Sequence, residues 1–184
     1  MPVSHKEEHG YELLQGASVF EGELLGGCID SMGEMLMSGD MSALGDEIAP
    51  LLEMCPALED DFREQREIIE RYGIFPEKQE WKGKILFAET SEVMPAPEKL
   101  REYLEALKSA GVFDGISGII VGKPMNEKYY EEYKQVWIDA VADPQLPILY
   151  NVNFGHASPR AILPYGAMAH VDADRQEIVL GNAD

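Results

Sequence analysis

Short apolar runs alternate with amphipathic stretches over most of the chain, and this alternation predicts a layered α/β domain. The apolar runs are continuous, as in strands that are covered on both faces of a sheet. They lie at Lys84–Glu89, Ile116–Val121 and Pro147–Val152. Between them, apolar positions recur at helical spacing in the segment that Pro97 opens and in Tyr129–Val141. Strand–helix–strand–helix–strand order predicts a parallel sheet with right-handed crossovers.

The remaining pattern is less regular. Ala17–Leu25 predicts a strand that the pair Gly26-Gly27 closes, and apolar positions from Cys28 to Leu36 predict a helix after it. A further helix is predicted from Asp60 to Tyr72, with acidic residues in its first turn. Three more assignments complete the pattern: a polar leader over residues 1–16, loops over Met37–Pro56, and a C-terminal hairpin of Ala167–Val171 with Glu177–Leu180. We therefore expect one domain over residues 17–184.

Composition narrows the class of protein. With 34 acidic and 15 basic residues the net charge is −19, which disfavours nucleic acid and anionic lipid as partners. No apolar run approaches the ~20 residues that span a bilayer, and no apolar signal peptide begins the chain. Two cysteines, Cys28 and Cys55, are too few for a disulfide scaffold, and their apolar surroundings suggest small core side chains. These features predict a soluble cytoplasmic protein without a membrane partner.

Candidate chemistry lies where the predicted parallel strands end. Glu89 closes the first apolar run with Glu92 near it, Lys123 follows the second, and Asn153 to His156 follow the third. Functional groups gather at the carboxyl ends of parallel strands, so a carboxylate and an imidazole can meet there. Such a pair suits general base chemistry. From spacing alone, however, the favoured interpretation is that Glu89 caps a loop and His156 is an ordinary turn histidine.

Other motifs fail on their spacing. Gly118–Lys123 superficially resembles a phosphate-binding loop, but three residues instead of four separate its glycines and Pro124 follows the lysine. Cysteines and histidines are scattered without zinc-ligand spacing, so no metal is predicted. A Gly-x-Ser-x-Gly nucleophile elbow is absent, and Ser117 lies within a predicted buried strand. We expect no cofactor.

Four blocks, in this order, carry a resemblance to a known family. They are Glu21–Cys28, Gly83–Glu92, Phe113–Pro124 and Asn153–Pro159. Together they resemble the C-terminal domain of the LD-carboxypeptidase family of serine peptidases and, within it, the branch of the microcin C immunity proteins. The resemblance extends from about Ala17 to Leu180. It implies a layered domain of the swivelling β/β/α type, with short parallel strands, crossover helices and a C-terminal hairpin.

The resemblance also implies roles for residues in a Ser–Glu–His triad. Glu89 matches the glutamate and His156 the histidine, so His156 acts as general base and then general acid while Glu89 orients it. By the same resemblance Glu92, Lys123 and Asn153 face or support the substrate. The parent enzymes cleave an amide next to a free carboxylate, in murein LD-peptides or peptide-nucleotide conjugates.

The nucleophilic serine and the oxyanion hole of this family belong to an N-terminal domain, and 16 residues precede Ala17 here. We therefore expect the chain alone to be inactive, since it lacks the groups that form the acyl intermediate. One alternative is a non-catalytic remnant that acts as a binding or oligomerisation module. Others are complementation by a separate chain and, with less support, hydrolysis through Ser91 or Ser158. Surface that the missing domain normally covers predicts a homodimer or higher oligomer.

Overall fold

The computed structural model describes residues 9–37, 55 and 57–181, which form a seven-stranded sheet with four α-helices. The strands are β1 (Glu12–Gln15), β2 (Val19–Cys28), β3 (Lys84–Glu89), β4 (Gly118–Gly122), β5 (Ile148–Val152), β6 (Met168–Asp172) and β7 (Glu177–Leu180). The helices are α1 (Ile29–Met37), α2 (Ala57–Tyr72), α3 (Pro97–Ser109) and α4 (Tyr130–Val141). Short 3₁₀ turns occur at Lys78–Trp81 and Met125–Glu127.

The strands follow the order β1-β5-β4-β3-β2-β6-β7 in one curled sheet. β2, β3, β4 and β5 are parallel neighbours, whereas β1 joins β5, β6 joins β2 and β7 joins β6 in antiparallel fashion. The predicted α/β class, the parallel strands with crossover helices and the C-terminal hairpin are thereby confirmed. The carboxyl ends of β3, β4 and β5 lie side by side, which places the predicted chemistry at one edge.

Alternate residues of the parallel strands enter two separate apolar clusters, as the two-residue period of a strand requires. Leu86 of β3 packs with α1, α3 and α4, whose buried members include Leu104 and Trp137. Phe87, one position further along, packs with Phe20 of β2 and residues of β6 on the opposite face. The parallel strands are therefore covered on both sides, by helices on one and by the curled part of the sheet on the other.

β2 extends beyond its predicted end, because the glycine pair lies inside the strand and does not close it. Gly26 pairs with Phe87 and Gly27 with Ala88 in the parallel register. A Cβ atom at Gly26 would overlap the carbonyl oxygen of Phe87. Glycine is needed here for close approach of the two backbones, so the prediction of a turn was wrong.

The N-terminal residues also differ from the predicted leader. Glu12–Gln15 form β1 on β5, and Lys134 Nζ of α4 lies 2.7 Å from a carboxylate oxygen of Glu12. Burial opposes the shift, but the hydrogen bonds with Lys134 and Tyr130 lower the pKa of Glu12. Because Glu12–Gln15 pair with β5, part of the predicted leader belongs to the sheet. Most of the predicted loops between Met37 and Pro56 fall outside the described residues, but Cys55 is exposed and Cys28 half-buried, so neither is a core cysteine. Of the helices described, none is long and apolar enough to cross a bilayer.

Candidate active site

Glu89 and His156 approach one another across the end of β4, the strand that separates their own strands. Glu89 is the last residue of β3, and His156 follows β5 by four positions. At Gly122, which ends β4, an added Cβ would lie 2.6 Å from the Cβ of Glu89 and 3.2 Å from the carbonyl oxygen of Phe154. The absence of a side chain at Gly122 therefore opens the path between the two groups.

The carboxylate of Glu89 forms hydrogen bonds with both the ring and the backbone of His156. Nδ1 of His156 lies 2.9 Å from Oε2 and 3.1 Å from Oε1 of Glu89. The backbone N–H of His156 donates to the same Oε2 atom at 3.1 Å. Glu89 is buried, whereas the His156 side chain is 40% exposed. The buried carboxylate thus orients the imidazole through its Nδ1 atom.

Gly155 makes this contact sterically possible. Its φ of +84° lies in the left-handed region, and a Cβ there would overlap the carboxylate of Glu89. An L-residue would have to bear both the backbone strain and the collision. The turn between β5 and His156 is therefore shaped by a glycine that folds the chain over Glu89.

Glu92 contacts the other nitrogen of the same ring. Its Oε2 lies 3.1 Å from Nε2 of His156, and its side chain is 65% exposed. Carboxylates accept hydrogen bonds and, when ionised, cannot donate them. An imidazole with a carboxylate on each nitrogen therefore favours the doubly protonated form.

The groups around His156 raise the pKa of its imidazole. The hydrogen bond that the His156 ring donates to Glu89 is the main cause of a raised His156 pKa, and the charges of Glu89 and Glu92 act in the same direction. Partial burial and the charge of Arg160 oppose the shift. The ring is therefore more readily protonated than a free histidine, as expected of an imidazole paired with a carboxylate.

Two other predicted site residues occupy different surroundings. Lys123 is only 2% exposed, and its backbone N–H donates to the carbonyl oxygen of Val152 at 2.9 Å. Asn153 is half-buried, and its Oδ1 has no hydrogen-bond partner among the described residues. Lys123 is thus a buried residue at this edge of the sheet, and Asn153 offers an unused acceptor near it.

Sequence reasoning missed a buried carboxylate beside the site. Asp30, at the start of α1, is 7% exposed and accepts hydrogen bonds from Ser91, two residues after Glu89. Cys28 lies directly opposite Glu89 in the β2–β3 register, and burial raises the pKa of its thiol. The one signal for Asp30 was an acidic residue amid the apolar start of a helix, which also suits an ordinary helix N-terminus.

A cleft of about 420 Å³ lies on the β2 side of Glu89. Gly26 and Gly27 line it together with the aromatic rings of Phe75, Trp81 and Tyr165. The Tyr165 hydroxyl donates a hydrogen bond to the carbonyl oxygen of Gly26. Within the described part of the chain, no group of three or more His, Cys, Asp or Glu residues has the arrangement of a metal site. The described site thus combines the His156–Glu89 pair with a cleft that begins at Cys28, the residue opposite Glu89 in the register.

The profile of the LD-carboxypeptidase C-terminal domain matches residues 21–171. Two curated relatives are provisional carboxypeptidases. One, from Treponema pallidum, is 32% identical over 101 residues, which are 54% of this chain and 30% of that protein. The other, from Streptomyces coelicolor, is 27% identical over 82 residues, 45% of this chain and 26% of that protein. The chain thus matches less than a third of the length of either relative.

Solved structures share the fold. An MccF-like protein from Streptococcus pneumoniae, crystallised with AMP, is 38% identical and superimposes with a TM-score of 0.78. The match covers 97% of this chain and 46% of that one. The microcin C7 self-immunity protein MccF in complex with aspartyl sulfamoyl adenosine gives a TM-score of 0.60 at 21% identity, covering 97% of this chain and 42% of its own. The second likeness shows the fold alone.

Proposed function

We propose that this chain, which belongs to the LD-carboxypeptidase C-terminal domain family, supplies the glutamate and histidine of a Ser–Glu–His triad. The observation that carries the proposal is the pairing of Nδ1 of His156 with the buried carboxylate of Glu89 at 2.9 Å. This pairing holds the ring in one orientation, with Nδ1 on the carboxylate and Nε2 pointing away from it. A general base needs that arrangement.

In the proposed reaction His156 moves a proton twice. Nε2 takes the proton of a serine hydroxyl as its oxygen attacks the scissile carbonyl, and the imidazolium then returns the proton to the leaving amine. Glu89 keeps the proton on Nδ1 and stabilises the imidazolium that forms between these steps. Water then attacks the acyl-enzyme as His156 takes its proton, and the imidazolium returns that proton to the serine oxygen as the acyl–oxygen bond breaks and the shortened peptide leaves.

The serine and the oxyanion-hole donors of this scheme come from outside the matched domain. The chain corresponds to 46% of the MccF-like protein of Streptococcus pneumoniae, so more than half of that protein has no counterpart here. In the present structure the Nε2 atom of His156 lies against Glu92 and not against a serine hydroxyl. We propose that the chain by itself does not hydrolyse peptides and that a nucleophile-bearing domain completes the site.

Glu92 has to leave Nε2 before His156 can act as a base. Its side chain is 65% exposed, so it is free to rotate into solvent or toward a substrate. Its charge repels the free carboxylate next to the scissile amide of the proposed substrate, which is a further reason for Glu92 to turn away from Nε2. Lys123 and Asn153 stay proposed as supporting residues, Lys123 because burial of its ammonium requires polar partners.

The proposed substrate is a peptide or peptide-nucleotide with an amide next to a free carboxylate. Support comes from the ligands of the related structures, AMP in one and an aspartyl sulfamoyl nucleoside in the other. The cleft beside Glu89 has the aromatic walls that suit a flat or apolar group.

The surface around the dyad supports an association with another domain or a second copy. Val93, Ile162 and Tyr165 are exposed large side chains that follow Glu92 or His156 closely in the chain. Exposed apolar groups beside a functional site are typical of an interface. We propose that the nucleophile domain covers them in the complete enzyme and that the chain alone forms homodimers in the cytoplasm.

A chimera tests the proposed function. This chain replaces the matched segment of the Streptococcus pneumoniae MccF-like protein, and hydrolysis of a murein LD-tetrapeptide and of aspartyl sulfamoyl adenosine is measured. We expect hydrolysis by the chimera and none by the chain alone at any concentration. Absence of hydrolysis by a folded chimera would favour the non-catalytic binding module, and labelling of Ser91 or Ser158 in the chain alone by a fluorophosphonate would contradict the missing nucleophile.

A further inference from the structure

A buried carboxylate outside the dyad holds the turn that follows Glu89. Asp30, the second residue of α1, uses both of its oxygens for Ser91. Its Oδ1 accepts from the Ser91 hydroxyl at 2.9 Å, and its Oδ2 accepts from the Ser91 backbone N–H at 3.1 Å. Asp30 is 7% exposed and Ser91 is also buried, so these bonds are shielded from water. Charge-assisted bonds of this kind are stronger than neutral ones.

Ser91 passes this constraint to the rest of the turn. Its hydroxyl oxygen accepts a hydrogen bond from the Val93 N–H at 3.2 Å, and its carbonyl oxygen accepts one from the Met94 N–H at 3.1 Å. Met94 has a positive φ of 50°, as the chain reverses direction there. Glu92 lies inside this turn, and Glu89 lies two residues before Ser91. Ser91 therefore anchors the backbone just beyond Glu89, where β3 ends, and the turn that carries Glu92.

The parallel register explains why α1 can reach this turn. Cys28, the last residue of β2, lies opposite Glu89, the last residue of β3. The chain then enters α1 on one strand and the turn on the other, so Asp30 and Ser91 each lie two residues beyond paired positions. An anion in the first turn of a helix is also favoured by the helix dipole, which offsets part of the cost of burying the Asp30 charge.

We propose that Asp30 is a positioning residue that acts through Ser91 to hold the backbone on either side of it, which carries Glu89 and Glu92, beside the ring of His156. The inference rests on the proposed role of the dyad. Asp30 contacts neither the imidazole nor a reacting group, so its effect is on geometry. A Ser91 that is released from Asp30 lets the turn shift, and the two carboxylates then lose their alignment with the ring.

A test of this proposal has to separate a change in geometry from a change in charge near Asp30 and His156. Asp30 lies near the Cys28 thiol, with Sγ and Oδ2 3.8 Å apart, and its charge contributes to the raised pKa of the Tyr103 and Tyr133 hydroxyls. His156 is influenced by Glu89, Glu92 and Arg160. Removal of the Asp30 charge alters electrostatics as well as geometry. Ser91→Ala changes no charge, so its effect on His156 reports geometry.

The test is an NMR titration of His156 in this chain and in variants. We expect Ser91→Ala to lower the His156 pKa by at least about half a unit, and Asp30→Asn to lower it further. Ser91→Thr retains a hydroxyl and should titrate like the unaltered chain. Ser117→Ala is the matched control, because it removes a serine hydroxyl that donates to the Gly83 carbonyl oxygen at 3.0 Å, away from the dyad.

The outcomes separate the inference from the proposal beneath it. If Ser91→Ala and Asp30→Asn reduce thermal stability but leave the His156 pKa unchanged, Asp30 merely anchors α1 and the inference is wrong. If His156 of the unaltered chain already titrates like a free histidine, the dyad itself fails. If Asp30→Asn does not fold, the titration of Ser91→Ala decides alone. Ser91→Ala should fold, because the backbone N–H of residue 91 still donates to Asp30.

Discussion

The Nδ1 atom of His156 lies 2.9 Å from a carboxylate oxygen of Glu89, although 67 residues separate the two in the chain. Their strands are not neighbours, since β4 runs between β3 and β5. The contact depends on Gly122 and Gly155, where side chains would fill the space that Glu89 occupies. The acid–base pair thus forms because glycines, at positions 122 and 155, lie on both sides of the buried carboxylate of Glu89.

Glu89→Gln should remove the charge that orients and stabilises the His156 imidazolium. The amide oxygen can still accept from the His156 backbone N–H, so the fold is retained. In the chimera with the nucleophile domain, kcat should fall by roughly 10³–10⁴-fold, the scale seen when the acid of a triad is neutralised. NMR titration should show a lowered His156 pKa. The control is Glu98→Gln, an exposed glutamate in the first turn of α3.

An unchanged kcat in Glu89→Gln would contradict the role of Glu89, whatever its effect on stability.

Gly155→Ala should cost at least about 2 kcal/mol of unfolding free energy, because left-handed strain adds to a collision with Glu89. The dyad should also separate, so the His156 pKa should fall toward its ordinary value. Gly73→Ala is the matched control, since Gly73 has a φ of +57° but nothing within 4 Å of an added Cβ. That variant should cost about 1 kcal/mol and leave His156 unaffected. Chemical denaturation measures the unfolding free energy, and NMR measures the His156 pKa. An equal loss of unfolding free energy in the two variants would show that a side chain at position 155 does not collide with Glu89.

The His156–Glu89 pair should make stability depend on pH in a defined direction. The folded-state pKa of His156 is raised, so the pair stabilises the fold fully below the unfolded value of about 6.5. That contribution is lost as pH rises through the higher folded value. The difference in unfolding free energy between the unaltered chain and His156→Gln should therefore shrink from pH 6 to pH 9. A difference that grows over this range would mean that the folded-state pKa is depressed.

Glu92→Gln should free Nε2 of His156 at lower pH. Because Glu92 contributes less than Glu89 to the raised His156 pKa, its loss should lower that pKa by a smaller amount than Glu89→Gln does. In the chimera the acidic limb of the kcat/KM profile should move to lower pH, since the base is deprotonated more easily. A limb that stays in place would indicate that Glu92 leaves Nε2 in the complete enzyme.

The strands that lead to the dyad were predictable because they are buried along their whole length, and Lys84–Glu89 has the predicted bounds. The helix Tyr130–Val141 was predictable from its apolar spacing and differs from the prediction by one residue. β1 was missed, because Glu12–Gln15 alternates weakly and depends on β5 and Lys134, which are remote in sequence. Gly26 and Gly27 looked like a turn, since a close approach to β3 leaves no local signal.

The candidate site, too, was predictable only where a local sequence pattern marked its residues. The rule that functional groups gather at the ends of parallel strands brought Glu89 and His156 to one edge, where the structure also places them. The rule does not show orientation, so neither the position of Glu92 on Nε2 nor the burial of Lys123 was foreseen. Asp30 and Ser91 are 61 residues apart, and only the register of β2 with β3 brings them together.

The most direct test of the proposed triad is the hydrolytic rate of the chimera with His156→Ala against that with His170→Ala. His170 is an exposed histidine on β6 whose Nδ1 lies 3.4 Å from Glu21, so it matches His156 in carrying a carboxylate partner. We predict loss of hydrolysis of aspartyl sulfamoyl adenosine and of the murein peptide in His156→Ala, and a rate unchanged within about twofold in His170→Ala. Hydrolysis that survives His156→Ala would contradict the assignment of this chain as the source of the catalytic base.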